Sequence, residues 1–438
     1  MALAMAAAYN PLPKCREADM NPITGSRRKA ALAFIFVTAV LDILTMGIII
    51  PVLPPLIEEF TGSNAGAGWI NGVFVALWAA AQFVCSPIVG SMSDRYGRRP
   101  VILLSCAGLA ADYVLMALAP NLWWLALGRI VAGVTSSSFT TVFAYMADIT
   151  PPEGRARAYG LIGAAFSGGF VLGPVLGGFL GEISPRAPFW FAAGLAGVAF
   201  LYGLLVLPES LPPEKRMAFS WKRANPFGAL QLLRSHHELF GLASVNFLLH
   251  FAHHVFSAVF VLYAGQRYGW GPWEVGLVLA LVGALDMAVQ GLLVGPAVKG
   301  FGDRAVMVFG LFGGALGVAC MGLAPNGWWF AAAMVPNALW GLSMPTLQSL
   351  MTRLVSESEQ GQLQGANMSV ASIAGVASPL FFGAVYAATV QPVDFAPFPG
   401  LAFLIAAATL FLGGLLGWMV ARRAAEAEAR AEPAFPPP

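Results

Sequence analysis

Charge is scarce in this sequence. Only 11% of its 438 residues are Asp, Glu, Lys or Arg, against roughly 25% in a soluble domain. Hydrophobic residues reach 58% and mean hydropathy is +0.72, so too few polar groups exist to clothe the apolar remainder, and a water-soluble globule is excluded. Cysteine is scarce too. Cys15, Cys85, Cys106 and Cys320 stand apart with no CxxC pair, which excludes a disulfide framework and a cysteine zinc site. There is no Walker loop, no HExxH and no GxSxG, so nothing points to a primary ATPase, a metalloprotease or a serine hydrolase. We expect no enzyme activity, no cofactor, no bound metal and no nucleic-acid partner.

Long apolar runs are what the sequence does have. A bilayer core of roughly 30 Å takes about 20 apolar residues in a helix. Runs of that length fall near 30–57, 67–91, 100–119, 122–147, 157–182 and 187–207, then 239–264, 274–298, 304–324, 327–351, 362–389 and 398–421. The expected fold class is therefore an all-α membrane protein of twelve transmembrane helices in two six-helix repeats. The domains are a tail over 1–29, a bundle over 30–207, a linker over 208–237, a second bundle over 238–421 and a tail over 422–438. The first run is too long for a signal-peptide core, so it reads as a retained helix. In the linker Pro208, Pro212, Pro213 and Pro226 oppose one long helix.

Lys and Arg orient the chain. With both termini and the linker on one side, that side collects 21 of the 24 basic residues. Only Arg186 and Arg267 face the other side, and Arg129 lies inside a helix. Both tails are expected in the cytoplasm. The halves also echo each other. Gly90-Ser-Met-Ser-Asp94-Arg95-Tyr-Gly97-Arg98-Arg99 follows the second helix, and Gly295-Pro-Ala-Val-Lys299-Gly-Phe-Gly302-Asp303-Arg304 follows the eighth. Parallel six-helix repeats are the layout of one large transporter class.

Intramembrane charges are functional by default, because each must find a partner or a cavity. Asp42, Asp112 and Asp286 are such acids and Arg129 is the fixed cation. A carboxylate held in low dielectric can exchange a proton near neutrality, and the alternative for each is a packing or ion-pair role. In the turn after the second helix, Gly90 and Gly97 permit close approach. Positive-inside topology explains Arg95, Arg98 and Arg99 but not Asp94, which reads as the charge of a conformational latch. His250, His253 and His254 share a helix face and lack the further ligand that a metal site would want. Gln82, Asn246, Gln290, Asn337, Gln348, Asn367 and Ser372 are polar groups dispersed over the helices, each needing hydrogen-bond partners.

Taken together, these motifs resemble the major facilitator superfamily. The carrying residues are Asp42 and Pro51-Val-Leu-Pro54, the Gly90–Arg99 turn, Gly128-Arg129-Ile-Val-Ala-Gly133, and Gly173-Pro174-Val-Leu-Gly177-Gly178. They continue with Gly341-x2-Met344-Pro345-x2-Gln348 and Gln360-Gly-Gln-Leu-Gln-Gly365. Within the superfamily the chain is similar to the tetracycline/proton antiporters of the twelve-helix drug-efflux group. The resemblance implies proton-coupled efflux by alternating access, with Asp42, Asp112, Arg129 and Asp286 in coupling. It implies a latch of Gly90, Asp94, Arg95, Gly97 and Arg98, and an antiporter motif of Gly173, Pro174, Gly177 and Gly178. The substrate groups would be Gln82, Asn246, His250, His254, Gln290 and Gln348. Asp286 stands where the group has a histidine, Gly314 where it has an aspartate, and His250 and His254 where it has glutamines. The expected partners are a small amphiphile such as tetracycline, protons and the bilayer, with a monomeric chain in a bacterial inner membrane. A proton-coupled metabolite carrier of the same fold is the alternative. An intramembrane enzyme or a non-transporting receptor would want a catalytic dyad or a larger extramembrane domain than the linker.

Overall fold

The computed structural model describes residues 36–431, apart from residues 39, 42, 138, 151, 220, 222–224, 226–229, 231, 236, 357–358 and 391–397. Of residues 139, 152–167, 215, 234, 235, 237, 361 and 421–431 only the backbone is described. Asp42 and the N-terminal tail thus lie outside the described residues. Among the described residues there is no strand. The helices, in order, are α1 (Phe36–Thr61), α2 (Asn64–Tyr96), α3 (Arg98–Leu118), α4 (Leu122–Ile149), α5 (Pro152–Ile183) and α6 (Ala187–Val206). After the linker come α7 (His237–Tyr268), α8 (272–301), α9 (303–323), α10 (327–353), α11 (Gln360–Val390) and α12 (Leu401–Ala431). Nine stretches among the described residues are long and apolar enough to cross a membrane, α8 and α9 forming one stretch of 52 residues.

Local chemistry interrupts several helices. In α1 a turn at 50–52 falls beside Pro51 and Pro54, each of which withdraws an amide donor and clashes with the preceding turn. Phe256–Phe260 of α7 and Val289–Leu293 of α8 are π-helical. The apolar run at 327–351 is not one regular helix. It passes through short α pieces and a 3-10 turn at Leu339–Leu342 before Ser343–Arg353.

The basic turn expected between α8 and α9 is not a loop. Gly302 alone breaks the helix, with φ 76° and ψ 159°. Gly97, between α2 and α3, has nearly the same conformation at φ 103° and ψ 160°, so the two halves reuse one joint that only glycine adopts without strain.

A second echo lies at the opposite end, which we call the far end. Ala119-Pro-Asn121-Leu-Trp123-Trp124 opens α4, and Ala324-Pro-Asn326-Gly-Trp328-Trp329 opens α10. Asn121 accepts from the backbone N–H groups of Trp123 and Trp124, and Asn326 from that of Trp329, capping each helix start. Trp123 is 83% and Trp328 87% exposed, which suits indole rings anchored at a membrane interface. Nearby, Arg186 donates to the carbonyls of Ala117 and Ala119 at the end of α3, and Arg267 to that of Ala324 at the end of α9. A cation on the last carbonyls of a helix is favourable.

Between the halves, α2 packs along α11 and α5 along α8. At the far end Asn64 accepts a 2.6 Å hydrogen bond from Tyr386, and a side chain on Gly72 would strike the backbone of Pro379.

Candidate functional site

The small residues of α5 serve two neighbours. A Cβ on Gly173 would lie 2.8 Å from Gly47 Cα, and one on Gly177 2.7 Å from the carbonyl carbon of Ile48, so this face packs backbone to backbone on α1. A Cβ on Gly178 would lie 3.1 Å from Trp273 Cα, and the Pro174 carbonyl fills the space beside Gly276. That second face meets α8 of the other half. The Gly-Pro motif therefore sits in the seam between halves, where side chains of ordinary size would hold the backbones apart.

Inside the first half, Asp112 of α3 faces Arg129 of α4 at 3.8 Å. Asp112 is 1% exposed, and neither its oxygens nor Arg129 Nε and Nη2 have a hydrogen-bond partner among the described residues. The pair is thus an electrostatic contact without hydrogen bonds, the least settled way to bury two charges. Gly128 makes room for it, since a Cβ there would lie 2.9 Å from Asp112 Oδ1.

At the near end the proposed latch residues come together with others that sequence reasoning missed. Arg98 reaches Asp94 at 2.5 Å, Ser93 at 2.6 Å and Asp148 at 3.3 Å. Glu209, just past α6, accepts from the backbone N–H of Arg98 at 2.8 Å and of Arg99 at 3.3 Å. Arg95 points outward, with its guanidinium 5.1 Å from the Tyr96 ring centre. Gly90 stands one turn before Asp94, and its carbonyl accepts from Ser93. The described partners of Asp94 and Arg98 all belong to the first half and the start of the linker, so in this conformation the cluster does not join the halves. The linker is also more than a tether here, because Leu211 is buried and Met217 N–H donates to the Asp94 carbonyl. The second half repeats the arrangement with charges exchanged. Asp303 at the start of α9 pairs with Arg353 at the end of α10, where the first half has Arg98 and Asp148.

The polar residues of the second half divide into two groups. Asn246 does not reach open space. It is buried, and its amide points to Asn367, which in turn donates to Gln348 at 3.1 Å. This chain ties α7, α11 and α10 together, a network invisible in residues 121 positions apart. His250 Nδ1 lies 2.9 Å from the Asn246 carbonyl, and His254 Nδ1 3.3 Å from Ser257 Oγ. His253 is exposed and sets its ring edge-on to Trp340, 5.5 Å between centres. Trp340 occupies the room beside Gly314, where a Cβ would come within 2.9 Å of the Trp340 side chain. Asp286 and the exposed Gln290 flank Gly341 of α10, a Cβ on which would lie 3.7 Å from Asp286 Oδ1. Asp286 has no ion pair or hydrogen bond among the described residues. Gln82 is half-buried, with its backbone carbonyl 3.4 Å from Ser137 Oγ. No three His, Cys, Asp or Glu side chains converge as metal ligands among the described residues.

Two like halves, joined along glycine-lined seams and carrying charges within the apolar helices, define a membrane transport protein. The chain matches the Major Facilitator Superfamily over residues 35–296 and 287–438 and belongs to that family. It is 39% identical to the class C tetracycline resistance protein of Escherichia coli, over 86% of this chain and 94% of that one. With the class G protein of Vibrio anguillarum the identity is 38%, over 83% and 91%. Among solved structures, an inward-facing, unoccupied bacterial homolog of the human lysosomal transporter Spinster superposes with a TM-score of 0.74 at 17% identity, covering 91% of this chain and 98% of that one. The human organic anion transporter TETRAN gives 0.66 at 24% identity, covering 89% and 99%. These structural likenesses bear on the fold alone. The chain is a multi-pass membrane transporter of that superfamily.

Proposed function

We propose that the chain exports tetracycline, or an amphiphile like it, from the bacterial cytoplasm in exchange for protons. Twelve helices would cross the inner membrane with both tails in the cytoplasm, and a monomer would suffice. The far-end contacts between α2 and α11 and between α5 and α8 fit a state closed to the outside. The observation that carries the proton-coupled reading is the set of charges held among apolar helices. Among the described residues Asp112 and Arg129 touch without a hydrogen bond, and Asp286 has no charged partner. Such groups change their interactions when a proton or substrate arrives, which is what coupling needs. The tetracycline resistance relatives support that choice of substrate. Asp42, together with Asp112 and Arg129, would serve the first half and Asp286 the second. His250, His254, Gln82, Gln290 and Gln348 would line the path, whereas Asn246 would act through Asn367. Asp94 and Arg98, with Gly90, Arg95 and Gly97, would form the near-end latch when that end closes.

The test is expression in a pump-deficient host with a tetracycline susceptibility series, followed by proteoliposomes. We expect the chain to raise resistance, and Asp286→Asn to keep tetracycline counterflow while losing uphill transport driven by a pH step. No change in susceptibility, with no pH-driven uptake, would remove the substrate assignment. Uphill transport by Asp286→Asn at the wild-type level would move coupling to Asp42, Asp112 or the helix α7 histidines.

A further inference from the structure

Asn71 of α2 has no task in the transport scheme above, yet it is firmly built into the seam. Its side chain is 2% exposed. The amide Nδ2 donates to two carbonyls of α7 in the opposite half, Ser257 O at 3.1 Å and Ala258 O at 2.8 Å. Both carbonyls belong to the π-helical turn Phe256–Phe260. Such a turn departs from the regular i to i+4 ladder and is a common device at functional sites. A carbonyl oxygen has two lone pairs, so one in a membrane helix can take a second donor from a neighbouring helix. Asn71 supplies that donor twice. The turn is also attached to the histidine stripe. Ser257 Oγ donates to the His254 carbonyl at 3.1 Å and lies 3.3 Å from His254 Nδ1. His253, one residue earlier, holds its ring against Trp340.

We propose that Asn71 is a positioning residue that clamps the two halves at the far end through the π-turn. By fixing that turn, it also sets where His253 and His254 stand in the substrate path. Opening to the far side then requires the amide to release both carbonyls, so closure and the placement of the histidines are one event. The proposal rests on the alternating-access reading of this chain. Tyr386 provides the contrast. Its hydroxyl donates to Asn64 across the same seam but does not touch the π-turn.

Asn71→Asp keeps the shape and replaces the donor with an oxygen that repels both carbonyls. Hydrogen–deuterium exchange in nanodiscs should then quicken on the order of thirtyfold in peptides covering 68–75 and 253–262, the scale of two lost buried hydrogen bonds. The tetracycline concentration giving half-maximal pH-driven uptake should rise severalfold. Tyr386→Phe should quicken exchange near 64–70 and 383–390 and leave that concentration unchanged. If Asn71→Asp does not fold, Asn71→Ala gives the same comparison. Wild-type exchange at 253–262 in the Asn71 variant would overturn the clamp. An equal rise in half-saturation for both variants would overturn the link to the histidines. A wild-type chain that takes up no tetracycline would refute the substrate reading only, and exchange would still decide the clamp.

Discussion

Gly97 and Gly302 offer a controlled experiment within one chain. Both have positive φ with extended ψ, 103° and 160° for Gly97 and 76° and 159° for Gly302. An L-residue forced into that region costs on the order of 1–3 kcal/mol, so Gly97→Ala and Gly302→Ala share the backbone strain. Their surroundings differ. A Cβ on Gly302 meets nothing within 4 Å, whereas one on Gly97 would collide with the Glu209 carboxylate and come 3.1 Å from Arg216 Nη2. Glu209 would have to swing away from the backbone N–H groups of Arg98 and Arg99. Losing those two bonds costs about 1 kcal/mol each, so Gly97→Ala should be worse than Gly302→Ala by about 2 kcal/mol. At 1.4 kcal/mol per factor of ten, local opening at residues 93–102 should quicken roughly thirtyfold more than opening at 298–307. Hydrogen–deuterium exchange of each purified variant reads this directly. Adding Glu209→Ala to Gly97→Ala should recover no hydrogen bond but should remove the collision, leaving the double variant no worse than about 1 kcal/mol beyond Glu209→Ala plus the strain. Equal exchange at the two joints would refute the reasoning, since it would mean that Glu209 does not cap α3 in the membrane-embedded protein.

Two further outcomes are expected. Asp94→Asn should abolish transport while leaving insertion intact, because Arg95, Arg98 and Arg99 keep the topology signal; wild-type transport with normal membrane yield would end the latch reading. Gly314→Asp, which restores the acid of the resembling pumps, should lower folded yield because Trp340 occupies that space. Trp340→Ala in the same chain should recover the yield, and a Gly314→Asp protein that melts like wild type would show that Trp340 moves freely.

Much of the architecture was legible from composition and periodicity. Long apolar runs select helices because lipid leaves backbone groups no other partner, and the placement of Lys and Arg along the chain carried the expected orientation. The Gly90–Arg99 motif and the Gly173–Gly178 motif were recognisable because glycine and proline act through the backbone, whose constraints are local. The Asn-x-Trp-Trp repeat at 121–124 and 326–329 is equally local, a capping asparagine followed by an exposed indole pair.

What only the tertiary structure decided was partnership. Glu209 caps a helix 111 positions away, Asn71 reaches carbonyls 186 and 187 positions away, and Asn246 directs its amide to Asn367 instead of facing a cavity. The exchange of charges between Arg98–Asp148 and Asp303–Arg353 likewise needs the helix ends to meet. Hydropathy and propensity are properties of a residue and its near neighbours, and they chose which segments became helices. A buried hydrogen bond or ion pair is a property of two distant segments brought within 3–4 Å, and only the packing of the helices sets that distance.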